Sequence, residues 1–254
     1  MKFHSQPTKT GIVLERMTAP SHWPRNRLLI ALSSRDLNRL RPKLEYIDCE
    51  RSQVLIDADS SFDHVFFPDS GVVAMVAVYG DGSIIEMATL GREGCTGVQA
   101  VLGAKMSSAR ILVQVPGSAA KMSRSTFTQA IKSMPAFRRL MFSHAHAFLE
   151  TVLVSAACNG AHSLNQRMAR WLLMLRDRSD DDVLPVTQNL LAATLSVQRP
   201  TITNVARELE QNGLIVRGRR QVTILDRQGL MDRSCECYRL LRTRIALHLP
   251  KTYI

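Results

Sequence analysis

Between residues 188 and 220 the chain concentrates side chains suited to phosphates and nucleobase edges. Arg199, Thr201, Thr203 and Asn204 follow one another at helical spacing, with Gln188 upstream. A guanidinium at Arg199 can donate two parallel hydrogen bonds to guanine O6 and N7, and Asn204 can pair with adenine or a phosphate. Thr201 and Thr203 suit phosphate or thymine-methyl contacts, and Gln188 a backbone phosphate. Arg217, Arg219 and Arg220 form a second cluster. Laid along phosphates, they would give affinity that is salt-sensitive and blind to sequence. The plain alternative for these three arginines is a solvated turn.

Such chemistry needs two short helices crossed tightly, with apolar residues at fixed offsets and a small residue at the crossing. Counting from Gln188 as position one, the apolar positions 4, 8, 10, 15 and 18 are Leu191, Leu195, Val197, Ile202 and Val205, and the small position 5 is Ala192. Position 9, where glycine would favour a left-handed turn, is Ser196, which costs some strain. Pro200 suits the first turn of a second helix from about Arg199 to Gln211, and Gly213 suits its left-handed stop. Residues 214–225 then read as a β-hairpin with Arg217, Arg219 and Arg220 at its tip. Helix-turn-helix plus hairpin is a winged helix.

Other chemistry finds less support. Cys49, Cys95, Cys158, Cys235 and Cys237 are scattered, with no C-x-x-C pair, so neither a zinc site nor a disulfide framework is expected. Two thiols at i, i+2 on a helix would point to different sides, which argues against metal binding by Cys235 and Cys237. Cys95 is expected to be buried. His64, His144 and His146 are read as ordinary polar or core histidines rather than haem ligands. There is no G-x-S-x-G, phosphate-binding P-loop or dinucleotide-binding glycine pattern, so no enzyme, metal or cofactor is expected.

The 254 residues carry a net charge of +11 and 45 % apolar residues, which fits a folded protein with a polyanionic partner. The charge is uneven: residues 28–122 hold 9 Lys/Arg against 11 Asp/Glu. No stretch approaches the roughly 18 apolar residues needed to span a bilayer, and the N-terminus lacks the apolar core of a secretion signal, so a cytoplasmic protein with no membrane partner is expected. Residues 1–27, polar and basic, read as a loose arm. Residues 28–122 open with a short helix from Ser34 and then show many short strands separated by turns, including a hairpin at Asp81-Gly82. Residues 123–160 carry a long helix after Pro135. Its stripe of Phe137, Met141, Ala145, Phe148, Val152 and Ala156 is read as a homodimer seam, with packing on its own β domain as the alternative. Asn159-Gly160 is expected to break that helix. Ser163 and Gln166 then form a capping box. Residues 161–228 form the winged helix, with Met168, Trp171, Leu172 and Leu175 inward and Asp180-Asp181-Asp182 as a solvated loop. Residues 229–254 read as an amphipathic helix whose packing partner stays open.

In order and motif the chain resembles the Crp/Fnr superfamily of bacterial transcription regulators over roughly residues 28–228. The resemblance implies an α+β protein: an N-terminal β-roll (jelly-roll) sensor domain, a long dimerisation helix and a C-terminal winged helix-turn-helix. It also implies homodimers on double-stranded DNA that recruit or block RNA polymerase. Superfamily members that bind cyclic nucleotides hold the phosphate with a Gly-Glu pair and an Arg followed by a small residue. Here Glu93, Gly94, Gly97, Val98, Ser107, Ser108 and Arg110 mark the corresponding pocket. Val98 replaces the Glu, Ser107-Ser108 replaces Pro-Arg, and Arg110 is offset by two positions, so cyclic AMP is not the expected effector. The iron–sulfur branch uses an N-terminal cysteine cluster, and this chain has no cysteine before Cys49. The competing reading is a signal-binding protein whose winged helix contacts another protein.

Overall fold

The computed structural model describes residues 19–20, 22–80 and 82–249. Strands β1 (Leu44–Cys49), β2 (Val54–Ile56), β3 (His64–Pro68), β4 (Val72–Val78), β5 (Ile84–Leu90), β6 (Arg110–Val115) and β7 (Gly117–Ser123) build the N-terminal half. They pair into two antiparallel sheets, of order β1-β7-β3 and β2-β6-β4-β5. The two-residue period of a strand gives the first sheet two apolar faces. Phe66 and Ala119 point into a core shared with Val73, Met75, Leu90 and Ile111 of the second sheet. Their neighbours Val65, Phe67, Ala120 and Met122 point the other way, onto helices. This is the expected β-roll. Strand β7 is central to its sheet yet built from small residues, which carry little strand signal. Its first residue must be glycine, because a Cβ on Gly117 would sit 2.4 Å from the Ser70 carbonyl oxygen.

The helices before and around the roll are α1 (Arg27–Ile30), α2 (Ser34–Leu40), α3 (Val98–Val101), α4 (Arg124–Ser133) and α5 (Pro135–Ala161). Residues 1–18 of the expected arm lie outside the described residues, as does Asp81 of the expected hairpin. The end of that arm is not loose. Trp23 and Asn26 are buried, the backbone N–H groups of Arg25 and Asn26 donate to Asp69 at 2.8 Å, and Asn26 Nδ2 donates to Pro68 O and Gly94 O.

Helix α5 departs from expectation in three ways. It runs through Asn159-Gly160 to Ala161, because one glycine in a last turn costs only about 1 kcal/mol. By length and composition it is apolar enough to cross a bilayer, which corrects the expectation that no such stretch exists. Finally, Phe137, Met141 and Ala145 are not a seam: they are buried with Phe67, Met122 and Phe127 of their own chain, and Phe148 and Val152 pack on the same roll. The exposed apolar residues are Phe142, Leu149 and Leu153.

The C-terminal half contains α6 (Leu164–Arg178), β8 (Val183–Leu184), α7 (Gln188–Leu195), α8 (Arg199–Gln211), β9 (Ile215–Gly218), β10 (Gln221–Ile224), α9 (Arg227–Arg233) and α10 (Cys237–His248). The capping box of Ser163 and Gln166 is present. Met168, Leu172, Leu191, Leu195, Ile202, Leu209, Ile215, Val222 and Tyr238 share one core. The expected single tail helix is two short ones. Helix α10 lies on α5 and α6, with Leu241 in the C-terminal core and Ile245 in the core beneath the roll. The acidic run is not merely solvated: Asp180 pairs with Arg92 at 2.7 Å and Arg25 at 2.9 Å, and Asp182 pairs with Arg176.

Candidate nucleic-acid interface

Helices α7 and α8 cross as the apolar offsets require. Leu191, Leu195, Ile202 and Val205 are buried, while Ala192 and Val197 pack beside them. Thr187 caps α7 by accepting the Leu190 N–H at 3.1 Å. The residue between the helices, Ser196, takes the left-handed conformation (φ 54°, ψ 47°), so the turn has the geometry expected there despite the missing glycine.

The N-terminal turn of α8 is open. Arg199, Pro200, Thr201 and Asn204 are exposed, and this turn carries no acidic residue. The helix dipole makes such an end attractive to anions. Gln188 bridges the two helices, accepting from Arg199 Nε at 3.4 Å and from Thr203 Oγ1 at 3.3 Å. Arg207, absent from the sequence-based set, lies one turn on, exposed, and donates to Asn204 Oδ1 at 3.4 Å. The carboxylates of α8 are all in its second half and engaged: Glu208 with Asn165 and Arg233, Glu210 with Arg217. Cationic and acidic functions are thus separated along one helix.

The hairpin β9–β10 forms the wing, extended by β8 in the order β8-β10-β9. Its tip is a two-residue turn, with Arg220 at φ 62°. Arg219 and Arg220 are exposed. Arg217 behaves differently: its Nε and backbone N–H each donate to Glu210 at 2.8 Å. That guanidinium holds the Glu210 carboxyl below its ordinary range. A groove of about 350 Å³ between helices and wing is lined by Gln188, Arg199, Arg217, Arg220 and Gln221.

The residues expected to mark an effector pocket do not form one group. Glu93 is buried against Arg178 of α6, Oε1 to Nε 2.8 Å, and Arg178 also donates to Thr89. Burial alone would push Glu93 up, but the guanidinium and the Gly91 N–H hold it below the usual carboxylate range. Arg110 pairs with Asp57 at 2.7 Å. Gly94 packs against Leu90 and His144, and Gly97 against Val65 and Phe127. Val98 and Ser107 are buried, and Ser107 Oγ donates to Ala109 O. Only Ser108 lies open, bonded to Gln99 Nε2 at 2.8 Å.

Two further features escaped sequence reasoning. Glu86 of β5 accepts from Thr194 of α7 at 2.7 Å, from Trp171 of α6 at 3.4 Å and from Gln114 of β6, so roll and winged helix meet at one carboxyl. Burial pushes Glu86 above its ordinary range, against these hydrogen bonds. Cys235 and Cys237 do not diverge as expected. Helix α10 begins only at Cys237, and Cys235 precedes it in a non-helical turn, so both thiols approach Cys158 and His162. The remaining thiols are isolated, and burial pushes Cys95 up to about 12 and Cys49 to about 11. His144 is a buried histidine accepting the Cys95 N–H.

A model of the Crp-like helix-turn-helix domain matches residues 166–233, and a model of the cyclic nucleotide-binding domain matches residues 47–134. Together they cover more than half of the chain in the order that the structure displays. The chain belongs to the Crp/Fnr superfamily. Among its relatives is the HTH-type transcriptional regulator Cmr of Mycobacterium tuberculosis (strain CDC 1551 / Oshkosh), 28 % identical over 113 residues, which are 44 % of this chain and 45 % of that protein. The match therefore spans less than half of that relative's length. The superfamily fold also appears in FixK2 from Bradyrhizobium japonicum, with TM-score 0.66, 15 % identity and coverage of 76 % of this chain and 98 % of that one. A CRP-family transcriptional regulator from Thermus thermophilus has TM-score 0.62 and 18 % identity, covering 74 % of this chain and 96 % of that one.

Proposed function

We propose that the chain is a transcription regulator that binds double-stranded DNA sequence-specifically as a homodimer. The observation that carries this reading is the open, carboxylate-free N-terminal turn of α8 beside the wing arginines. In this reading Arg199 and Asn204 read base edges, and Thr201, Thr203 and Gln188 fix the register on phosphates. Arg219 and Arg220 follow the backbone. Arg217 holds the wing to α8 through Glu210 instead of reaching DNA.

Dimerisation is assigned to the outer face of α5. Phe142, Leu149 and Ala156 recur there at the seven-residue spacing of a coiled-coil seam, Leu153 falls between the last two, and all four side chains are exposed in the single chain. The regulator would work in the cytoplasm, on DNA, through RNA polymerase. Its effector is not cyclic AMP in this account, because Glu93 and Arg110 are already paired within the protein. Calorimetry with cyclic AMP tests that point, and saturable binding at Ser108 would contradict it.

The test of the DNA reading is salt. Neutralising several phosphates makes the logarithm of affinity fall linearly with the logarithm of salt concentration. Fluorescence anisotropy with duplex DNA is expected to show that fall, and a flat response would favour a protein partner for the winged helix.

A further inference from the structure

At the junction of α5 and α6, three cysteines and a histidine from distant parts of the chain converge. Cys158 and His162 stand one helical turn apart at the end of α5, and Cys235 and Cys237 flank the start of α10. Their sulfur and imidazole nitrogen atoms all lie within 4.8 Å of one another. Cys158 Sγ is 3.5 Å from Cys235 Sγ, and Cys237 Sγ is 3.7 Å from His162 Nδ1. With Zn–S about 2.3 Å and Zn–N about 2.0 Å, a tetrahedral site has edges of roughly 3.8 Å between sulfurs and roughly 3.5 Å between sulfur and nitrogen. Both contacts are close to such an edge.

We propose that Cys158, His162, Cys235 and Cys237 form a closed tetrahedral site for one zinc ion, which staples the C-terminal helix to the hinge between the long helix and the winged helix. Four protein ligands and no open position are the marks of a structural site, and three soft thiolates select a thiophilic d10 cation. The surroundings support the choice. The Glu236 carboxylate lies 3.1 Å from His162 Nε2. It fixes the proton there and turns the Nδ1 lone pair toward the sulfurs, as a carboxylate behind a metal-bound histidine does. Three thiolates and one zinc ion leave a net negative charge. Two α6 guanidiniums can offset it: those of Arg167 and Arg170 each carry a buried Nε with no hydrogen-bond partner. Cys158, Cys235 and Cys237 are all buried, so three segments far apart in sequence bring their sulfurs together with His162 in a cluster screened from water. The site does not rest on the DNA-binding reading, since its ligands lie outside α7, α8 and the wing.

The test uses the full chain purified with reductant and chelator, then titrated with zinc and with cobalt(II). One zinc per chain is expected by elemental analysis. Cobalt should give the intense visible bands of tetrahedral coordination together with thiolate-to-cobalt charge transfer. The double variant Cys235→Ser/Cys237→Ser should lose the ion while circular dichroism reports whether it stays folded. Glu236→Ala should keep the site but weaken its affinity by about 10–100-fold. If the double variant does not fold, the wild-type cobalt spectrum and Glu236→Ala decide. Absence of stoichiometric zinc under reducing conditions would overturn the proposal. So would unchanged binding in the folded double variant, an iron–sulfide occupant, or a Cys158–Cys235 disulfide that forms in place of metal binding.

Discussion

Single residues separate roles that the chain's composition leaves merged. Arg217, Arg219 and Arg220 look alike in sequence, yet of the three only Arg217 pairs with a carboxylate among the described residues. Replacing Arg219 or Arg220 with alanine should reduce the salt slope of DNA binding by about one unit each. Replacing Arg217 should leave the slope nearly unchanged and loosen the wing, and equal slopes lost at all three sites would refute the division. The pairing of Arg217 was not legible, because nothing local sets the register between the end of α8 and the strand after it. Ser196 was legible: its place between two apolar offsets demanded a left-handed residue, and the structure has one. Ser196→Gly should therefore raise unfolding stability by about 1 kcal/mol, read by chemical denaturation. An unchanged or lower midpoint would mean that the serine is not strained.

At the level of elements, α8 matches its sequence-derived bounds because its start, the crossing and its stop are fixed by residues close in sequence. Helix α5 was harder. Its 27 residues are apolar on more than one face, and periodicity identifies a stripe without saying what covers it. The stripe through Phe137 and Met141 is covered by the β-roll, and the exposed stripe through Leu149 is the one proposed to meet a second chain. Leu149→Asp should yield a folded monomer in sedimentation with weakened affinity for two-fold DNA. A folded Leu149→Asp dimer would place the seam elsewhere. Strand β7 carries little pattern of its own for a related reason: its alanines are placed by their partners on β1 and β3, not by intrinsic preference.

Across the whole molecule, roll and winged helix meet through contacts between residues far apart in sequence, such as Glu93 with Arg178 and Glu86 with Thr194. No local pattern announces them, and the expected effector residue Glu93 is part of this latch. The raised pKa of Glu86 means that the packed state favours the protonated carboxyl. That contribution is complete below the ordinary carboxylate range and fades as pH rises through the raised value. Glu86→Gln removes the titration, so the wild type should lose thermal stability relative to this variant as pH rises above the ordinary carboxylate range. Parallel curves would show that the carboxyl does not control docking.

The most direct test of the central claim is the free-energy difference between a DNA site selected from random sequence and a scrambled duplex, measured at one salt concentration for wild type and Arg199→Ala. The variant should lose about 1–3 kcal/mol of that discrimination. Its affinity for scrambled DNA should fall far less. Full discrimination by Arg199→Ala would contradict the assignment of α8 as the helix that reads DNA.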